Sequence, residues 1–336
     1  MNRSTASGRR IVLSRRRLVA GGTALALSAT ASGSPRAQGA YPDKPVKVTV
    51  SYGPGGAIDV VARILSEHMA GTLGKPVLVD NKPGAGSTIA ADLIARSAPD
   101  GYSLLVTGMA HSVIPELFPQ VTFDPVKDFQ PISHLGLMPF VLAIHPSVPA
   151  TDFASFIAYL KANPGKVNCG SAGPGSSADL GQMLLAKMAG VEFVRVPYRS
   201  TPAAMTDLVA GRVAFMMDSQ NVLVPHVKSG ALRAIAVSSL DRSRLVPDVP
   251  TLDELGLKGF DAGSWQAMLA PARTPRPVVD RLVKSLEAAF ADPAIQNRYY
   301  ELGYQMPRKV GPEALAAFLA VESAKWGPLA KATGTG

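Results

Sequence analysis

Cysteine and aromatic residues are scarce in this sequence. Cys169 is the only cysteine, and aromatic side chains make up 6% of the 336 residues. A single cysteine excludes an intramolecular disulfide, so the hydrophobic core has to stabilise the fold. Hydrophobic residues make up 47% of the chain, which is enough for a substantial core in one or two domains and excludes a disordered protein.

Signatures of catalysis and of metal binding are also missing. The five histidines do not have the spacing of metal ligands, and the chain contains neither a Gly-x-Ser-x-Gly elbow nor a Gly-x-x-x-x-Gly-Lys phosphate loop. The glycines within residues 53–56 lack the rest of a dinucleotide-binding fingerprint. Cys169 ends a short predicted strand, where a small buried residue is the expected role and a nucleophile is the alternative. We therefore predict no catalytic residues, no metal and no cofactor.

Acidic residues are absent from the first 39 residues, which contain seven arginines. Without this segment the formal net charge falls from +9 to +2, so the high isoelectric point belongs mostly to the segment. The nearly neutral remainder gives no electrostatic basis for binding nucleic acid or an anionic membrane surface.

The same 39 residues have the organisation of a secretory signal peptide. Arginines precede an apolar run at 18–31 that is too short to span a membrane, and small residues lead to a cleavage site near Gly39 or Ala40. The residues SRRRLV at 14–19 resemble a twin-arginine export signal, with ordinary Sec export as the alternative. A disordered basic tail is the other interpretation. The pattern predicts a periplasmic protein without disulfides.

The sequence at 46–59 predicts a strand, a glycine turn and the start of a helix. Apolar residues alternate over 46–50, the glycines and proline at 53–56 end the strand, and an apolar-periodic segment begins near Asp59. Such a turn presents backbone N–H groups at the positive end of the helix dipole, which suits a small anion. A tight connection without a ligand is the alternative.

A second copy of this arrangement follows later in the chain. Residues 166–169 read as a short strand, residues 170–177 as a turn of glycines and hydroxyls, and residues 179–189 as the helix that follows. Two turns of the anion-binding type in one chain suggest two lobes that face one ligand.

Strand and helix patterns alternate through the rest of the chain, as in βαβ units with a parallel sheet. One predicted strand ends at Thr107 and another is followed by Asp218, and ligands of open α/β sheets bind at such carboxyl ends. We predict that residues 140–144 cross into a second lobe and that residues 265–269 return. The residues after 275 are predicted to be helical, with prolines near the helix starts.

Short motifs follow one another from residue 41 to the C-terminus. They are YPDKP at 41–45, PGG at 54–56 with Asp59, Ala62-Arg63, NKPGAG at 81–86, PDGY at 99–102, Asp128-Phe129, VPY at 196–198, Arg242, PDVPT at 247–251, ELG at 254–256, Trp265 and Ala270-Pro271. In number, order and spacing they resemble the Bug family, the periplasmic solute receptors of tripartite tricarboxylate transporters.

The resemblance implies a two-lobe α/β fold of the type II-like periplasmic binding proteins. Each lobe is then a mostly parallel sheet flanked by helices, and the ligand cleft lies between the lobes. With the predicted crossing strands, residues 40–142 and 264–336 form lobe 1 and residues 143–263 form lobe 2.

The resemblance also implies how such a cleft holds a carboxylate. In these receptors the βα turns of both lobes bind it through backbone amides and waters, with little use of charged side chains. The implied ligand-binding residues of lobe 1 are Tyr52, Gly53, Pro54, Gly55, Gly56 and Asp59. Those of lobe 2 are Ser171, Gly175, Ser176 and Ser177, and the strand ends add Thr107, Tyr198 and Asp218.

Several of these side chains have a structural alternative. Asp59 lies in the first turn of a helix, where it could pair with Arg63 four residues on. Tyr52 could be a core aromatic, and Asp218 could cap the next helix at Asn221. For Trp265, packing near a crossing strand is the expected role.

Three positions depart from the usual pattern of the family. Asp179 stands where the family commonly has histidine. Ser200 stands where the family has glycine after the Pro-Tyr-basic triplet, and Ala214 stands where an acid often follows the Gly-x-Val step. These departures leave the predicted fold intact, but they weaken any transfer of a relative's ligand to this chain.

We therefore expect a monomeric periplasmic receptor that captures a small carboxylate, such as a dicarboxylate, an amino acid or a related organic acid. It would present this solute to the membrane subunits of a tripartite tricarboxylate-type transporter, after hinge closure around the crossing strands. A carboxylate sensor that signals to a membrane partner is the alternative, and a periplasmic enzyme acting on a carboxylate is a third.

Overall fold

A computed structural model describes residues 41–332 except for residues 172, 174, 175 and 199. The predicted signal peptide and Gly175 lie outside the described residues. The strands are β1 Val46–Val50, β2 Val77–Asn81, β3 Ser103–Gly108, β4 Phe129–Ile144, β5 Asn168–Ser171, β6 Val194–Pro197, β7 Phe215–Ser219, β8 Arg233–Val237 and β9 Gly263–Pro271. The helices are α1 Ala57–Leu73, α2 Thr88–Ala95, α3 Ile114–Leu117, α4 Phe153–Ala162, α5 Ser177–Ala189, α6 Thr201–Val209, α7 Gln220–Lys228, α8 Arg276–Ala291, α9 Pro293–Glu301 and α10 Pro312–Ala332.

The first strand and helix follow directly from the local sequence. The three alternating valines of β1 are fully buried, and the glycines that follow cannot continue a strand. Helix α1 ends where Gly74 adopts a left-handed φ of 72° and its N–H bonds back to the Ala70 carbonyl, the usual helix end at glycine. The predicted strand at 46–50 is confirmed, and the helix predicted to start near Asp59 begins at Ala57.

The strands form one curled sheet in the order β2-β1-β3-β9-β4-β7-β5-β6, with β8 paired to β4. Strands β1, β2 and β3 are mutually parallel, as are β5, β6 and β7. Strands β9 and β4 lie between these two parallel groups, and each runs antiparallel to its neighbours. Parallel pairs joined by helices on the sheet faces are the α/β architecture that the sequence predicts.

Strand β4 is the long element that joins the two groups. Its first part pairs with β9, and residues Phe140–Ile144 pair with β7 on one side, while β8 pairs with residues 141–144. The sequence predicts a strand only over 140–144, because Pro131, Gly136 and Pro139 interrupt the earlier part. The structure accommodates this stretch by shifting the register near Pro131 and Gly136.

The register places the carboxyl ends of the two parallel groups opposite each other. Strand β3 ends at Gly108, which lies opposite Gln266 of β9, and Gln266 lies opposite Gly136 of β4. Strand β7 runs the other way and ends at Ser219, opposite Phe140 of β4. Four residues of β4, about 13 Å at ~3.3 Å per residue, separate these ends. The turns after β1 and β5 therefore approach one cleft over this part of β4.

A buried carboxylate ties β9 to the last helix. Trp265 and Trp326 each donate an indole N–H to Glu322 Oε2, at 2.7 and 2.6 Å. Lys325 also donates to Glu322 and to the Asp261 carbonyl. A buried charge is stable only with such partners, so Trp265 packs in the core, as predicted.

The described chain from Pro42 onward belongs to one compact unit. Strand β9 pairs with β3 of the first parallel group, and β4 pairs with both β9 and β7, so the sheet is continuous between the two groups. The predicted lobe boundaries at 142 and 263 therefore stay predictions. In the described chain, every helix is too short or too polar to cross a membrane.

Candidate functional site

The first glycine turn leaves the start of α1 without a side-chain cap. Gly56 is the N-cap residue and has no side-chain oxygen to accept the N–H groups of the first turn. Gly55 has a φ of 78°, which favours glycine, whereas Gly53 and Gly56 do not need glycine for their backbone. An added Cβ would meet no atom within 4 Å at Gly53 and only the Gly53 carbonyl at Gly56. The open space at this turn, which also contains the exposed Pro54, faces outward.

Asp59 holds the same turn from beneath. Its Oδ2 accepts the Gly55 N–H at 2.8 Å and Arg63 Nε at 2.9 Å, and its Oδ1 accepts Asn81 Nδ2 at 2.8 Å. Asn81 also donates to the Tyr52 carbonyl. Burial by itself would raise the pKa of the Asp59 carboxyl, but the bonds from Arg63, Gly55 and Asn81 hold it below its usual range.

These bonds confirm the predicted pair between Asp59 and Arg63. The Asp59 side chain is 2% exposed, and its charge is compensated by Arg63, so it does not oppose an anion at the turn. The Gly55 N–H is taken by Asp59, which leaves the amides of Gly56, Ala57 and Ile58 as the donors at the helix end. In the structure Asp59 therefore holds the turn that precedes those amides.

Tyr52 and Thr107 lie next to the turn at different depths. Tyr52 is half-buried, and its hydroxyl is 3.8 Å from a Cβ built on Gly108 at the end of β3. Burial raises the pKa of the Tyr52 phenol. Thr107 is fully buried, and its Oγ1 accepts a hydrogen bond from Ser51 Oγ at 3.1 Å. Tyr52 therefore borders the cleft end of β3, while Thr107 lies beneath it in the sheet.

The second turn is held by hydroxyl groups. Ser171 Oγ donates to Asp179 Oδ1 at 3.1 Å and accepts the Gly173 N–H at 3.3 Å. Ser176 caps α5 by accepting the Asp179 N–H at 3.2 Å, and Ser177 is the first residue of the helix. Arg195 donates to Asp179 at 2.5 Å. Asp179, the departure from the family's histidine, is thus compensated by an arginine from β6.

Tyr198 and Asp218 flank the second turn. The Tyr198 hydroxyl donates to Asp207 Oδ2 at 2.7 Å, and its N–H bonds to the Ser171 carbonyl. Asp218 accepts the Ser219 N–H at 2.6 Å and the Thr201 hydroxyl at 2.9 Å. Burial raises the pKa of Asp218, and those two bonds offset part of the effect. Helix α7 begins at Gln220 and has no side-chain cap among the described residues, so the alternative that Asp218 caps this helix at Asn221 is wrong. Asp218 instead joins the starts of α6 and α7 through its bonds to Thr201 and Ser219.

Sequence reasoning predicted Gly55 but missed the other residues that line the space between the two halves. A cavity of about 520 Å³ has Gly55 and Ala57 on one side, Gln220 and Asn221 on the other and Met138 of β4 between them. Its position matches the stretch of β4 between the facing strand ends. The polar run at 218–221, which begins inside β7, is the sequence signal for this region, and Asp218 was the predicted residue of that run.

A strained segment also lies beside the first turn. Ala85, Gly86 and Ser87 have positive φ values of 44°, 59° and 78°. Two of the three are not glycine, and strain of this kind clusters at functional sites. Ser87 is buried and contributes to the environment of the Tyr52 phenol. The sequence predicts a loop up to Gly86 and a helix from Ser87, whereas α2 begins at Thr88.

The described residues contain no cluster of three or more histidine, cysteine or acidic side chains that could hold a metal ion. Cys169 is fully buried in the core, and burial raises the pKa of its thiol well above the usual value. Because the thiolate is the nucleophilic form, this environment favours the structural role for Cys169.

Two parallel groups of strands whose carboxyl ends face one cleft define the class of two-lobe solute-binding proteins. The family model described as the tripartite tricarboxylate transporter family receptor matches residues 61–335. A relative from Pseudomonas sp. (strain P51), the UPF0065 protein in the tcbD-tcbE intergenic region, is 38% identical, and the match covers 94% of this chain and 93% of the relative. This chain belongs to the tripartite tricarboxylate transporter receptor family, a family of solute-binding receptors.

Solved structures agree with this assignment and confirm the predicted fold class. The periplasmic binding protein BugD is 39% identical with a TM-score of 0.70, and the match covers 88% of this chain and 99% of BugD. MatC from Rhodopseudomonas palustris, solved with bound malate, is 34% identical with a TM-score of 0.70, covering 86% and 100%. A second R. palustris protein, solved with adipate, is 27% identical with a TM-score of 0.73, covering 88% and 98%.

Proposed function

We propose that this receptor captures a small carboxylate in the cleft between the facing strand ends and presents it to the membrane subunits of a tripartite tricarboxylate-type transporter. The observation that carries the proposal is the uncapped start of α1. Within this turn only Gly55 has a φ that requires glycine. Gly53 and Gly56 could carry a side chain, but as glycines they leave the space above the backbone amides empty. Free amides at the positive end of a 17-residue helix are a site for an anion.

Backbone donors are sufficient for useful affinity. Micromolar binding requires about 8 kcal/mol, and one hydrogen bond to a charged group contributes about 1.5 to 3 kcal/mol. Four such bonds from Gly56, Ala57, Ile58 and the second turn, with about 0.3 to 2 kcal/mol from each helix end, reach this range after the losses on association. An arginine in the cleft is therefore not required.

Solved relatives with malate and with adipate support a dicarboxylate as the solute. The two bound acids differ in length and in hydroxylation, so they support the carboxylate group rather than one compound. Amino acids and related organic acids satisfy the same donors. The compensated charges of Asp59 and Asp179 leave the turns free of net repulsion toward an anion.

The proposed location is the periplasm, after cleavage of the leader near Gly39 or Ala40. The mature chain would act as a monomer, with hinge closure around β4 and β9 bringing the two turns onto the solute. Tyr52, Gly53, Pro54, Ser171, Gly175, Ser176, Ser177, Tyr198 and Asp218 are the proposed surroundings of the carboxylate, with Asp59 and Thr107 supporting them from below.

Native mass spectrometry of the mature protein, followed by release of any bound compound and its calorimetric titration, tests this function. We expect a stoichiometric small carboxylate that rebinds the emptied protein. A protein that shows no thermal shift with a broad panel of carboxylates would contradict the proposal. Loss of uptake of that solute in a strain lacking the gene separates transport from sensing.

A further inference from the structure

An elongated cavity of about 520 Å³ begins at the first glycine turn. Ala57 and Val60, three residues apart on α1, form one wall. Gln220, Val224 and Lys228, each four residues apart, form a stripe along α7 on the other. Eight residues of helix make this stripe about 12 Å long at ~1.5 Å per residue. The cavity is therefore much longer than the reach of a single carboxylate.

The floor and walls of this cavity are mainly apolar. Met138 and Val224 are almost fully buried, and Val60, Leu245 and Leu302 are half-buried along it. The amide of Gln220 is occupied, because it donates to the Gly303 carbonyl and accepts from Ser243. Apolar walls beside an anion site suit a hydrocarbon chain attached to the carboxylate.

One buried polar group on the wall has no partner among the described residues. Tyr304 is 3% exposed, and its hydroxyl makes no hydrogen bond there. A buried hydroxyl without a partner is costly, which calls for an explanation in a native site. The charged Lys228 and Glu301 are exposed residues of the same cavity.

We infer that the solute is an elongated acid, with one carboxylate on the amides of α1, an apolar chain over Met138 and a second acceptor group that takes the Tyr304 O–H. This inference rests on the proposed carboxylate function and narrows it to acids longer than a four-carbon dicarboxylate. Tyr304 thereby obtains the acceptor that the described chain does not supply.

The inference predicts a dependence of affinity on chain length. Each buried methylene contributes about 0.8 kcal/mol, which corresponds to about fourfold in the dissociation constant. Adipate has two methylenes more than succinate, so we expect it to bind about 15-fold more tightly, an upper value if part of the chain stays hydrated. Hexanoate has the chain without the second carboxylate and should bind more weakly than adipate.

Calorimetric titration of succinate, adipate and hexanoate into the mature protein and into four variants tests this. Val60→Trp fills the cavity from α1 and Leu302→Trp fills it from the residue after α9, so one remains informative if the other fails to fold. We expect both to remove the advantage of adipate over succinate. Val321→Trp, a change at an exposed valine of α10 outside the cavity, should keep it.

Tyr304→Phe tests whether the Tyr304 hydroxyl binds the solute, because a purely structural hydroxyl would not affect the preference for adipate over hexanoate. We expect it to reduce the preference for adipate over hexanoate about tenfold, the loss of one hydrogen bond to a charged group, without loss of thermal stability because the hydroxyl has no partner in the described chain.

The outcomes separate the two proposals. If all three acids bind with equal affinity, or if filling the cavity leaves the adipate advantage intact, the elongated solute is wrong and the carboxylate function stands. If none of the three acids binds the wild-type protein, the elongated solute is wrong, and the broad panel of carboxylates decides the carboxylate function.

Discussion

The two glycine turns of the cleft differ in what they present to a ligand. The first has a bare helix start, because Gly56 offers no cap and Asp59 binds the turn from the side away from the open space. The second is capped by its own Ser176 and stiffened by Ser171 and Asp179. The first turn therefore offers backbone donors without a partner among the described residues, whereas several polar groups of the second turn are hydrogen-bonded to one another.

This difference indicates a division of work. An anion gains most where amides at a long helix have no other acceptor, so we expect the first turn to hold the carboxylate. The hydroxyl-rich second turn suits waters and the variable part of the solute. Both turns have an aspartate paired to an arginine beneath them, which keeps the negative charge of each turn compensated.

The largest expected effect is that of Gly56→Asp. Its side chain and like charge would occupy the carboxylate position, and we expect at least about a 100-fold loss of affinity, or roughly 3 kcal/mol. Helix stability should not suffer, because aspartate is a favoured N-cap and suits the positive end of the helix. Calorimetry with the native solute measures the loss. Gly71→Asp, the same change at an exposed position of α1, is the control, and equal affinity in both variants would refute the site.

Removing the buried aspartates tests whether both turns are held from beneath. Asp59→Ala leaves three donors without an acceptor, and we expect it to lower the free energy of unfolding by about 3 kcal/mol. Asp179→Ala should cost a similar amount, about 3 kcal/mol, because Asp179 is as buried as Asp59 and Arg195 is less exposed than Arg63. Urea unfolding at pH 7 gives both values. Asp92→Ala is the control, because it removes an exposed ion pair with Arg96 and should lower the free energy of unfolding by under about 0.5 kcal/mol. An Asp59→Ala variant that loses no more stability than this control would contradict the account.

Exchanging the caps sharpens the contrast between the turns. Ser176→Ala removes the cap of α5 and should lower stability by about 1 kcal/mol. Gly56→Ser adds a cap to α1 and should raise stability by a few tenths of a kcal/mol while weakening solute binding. Thermal unfolding and calorimetry on the two variants check this opposite behaviour. A destabilised Gly56→Ser would show that the fold, rather than the ligand, needs glycine there.

The smallest effect concerns pH and distinguishes Asp59 from Asp218. The lowered pKa of Asp59 contributes stability that is present above its usual value of 3.8 and lost as the pH falls through the folded value. The raised pKa of Asp218 acts in the opposite sense, since the ionised form is the less favourable one in the fold. Asp218→Asn should therefore be slightly more stable than wild type at pH 7. Unfolding curves from pH 3 to pH 8 should show this advantage disappearing toward acid; an advantage independent of pH would contradict the sign.

Local signals predicted much of this architecture. Alternating valines, glycine punctuation and helical periodicity are encoded over a few residues, so β1, α1 and both glycine turns were recognised. Most of β4 was not recognised, because Pro131, Gly136 and Pro139 locally disfavour a strand. Pairing with β9, which no local pattern reveals, holds this part of the chain as a strand.

The site was predictable in outline but not in the roles of its side chains. Asp59 of α1 receives its third donor from Asn81, which ends β2 and lies 22 residues away. Met138 and Tyr304 line the cavity from β4 and from the segment after α9, and no local pattern links them to the first turn. Non-local contacts of this kind decide which polar groups remain for a ligand.

The most direct test of the central claim is a crystal structure of the mature protein with its native solute. The account predicts a carboxylate within about 2.7 to 3.2 Å of the amide nitrogens of Ala57 and Ile58, over β4 and facing the second turn. A solute held elsewhere, or a carboxylate bound by a cationic side chain while the amides of α1 bind water, would contradict it.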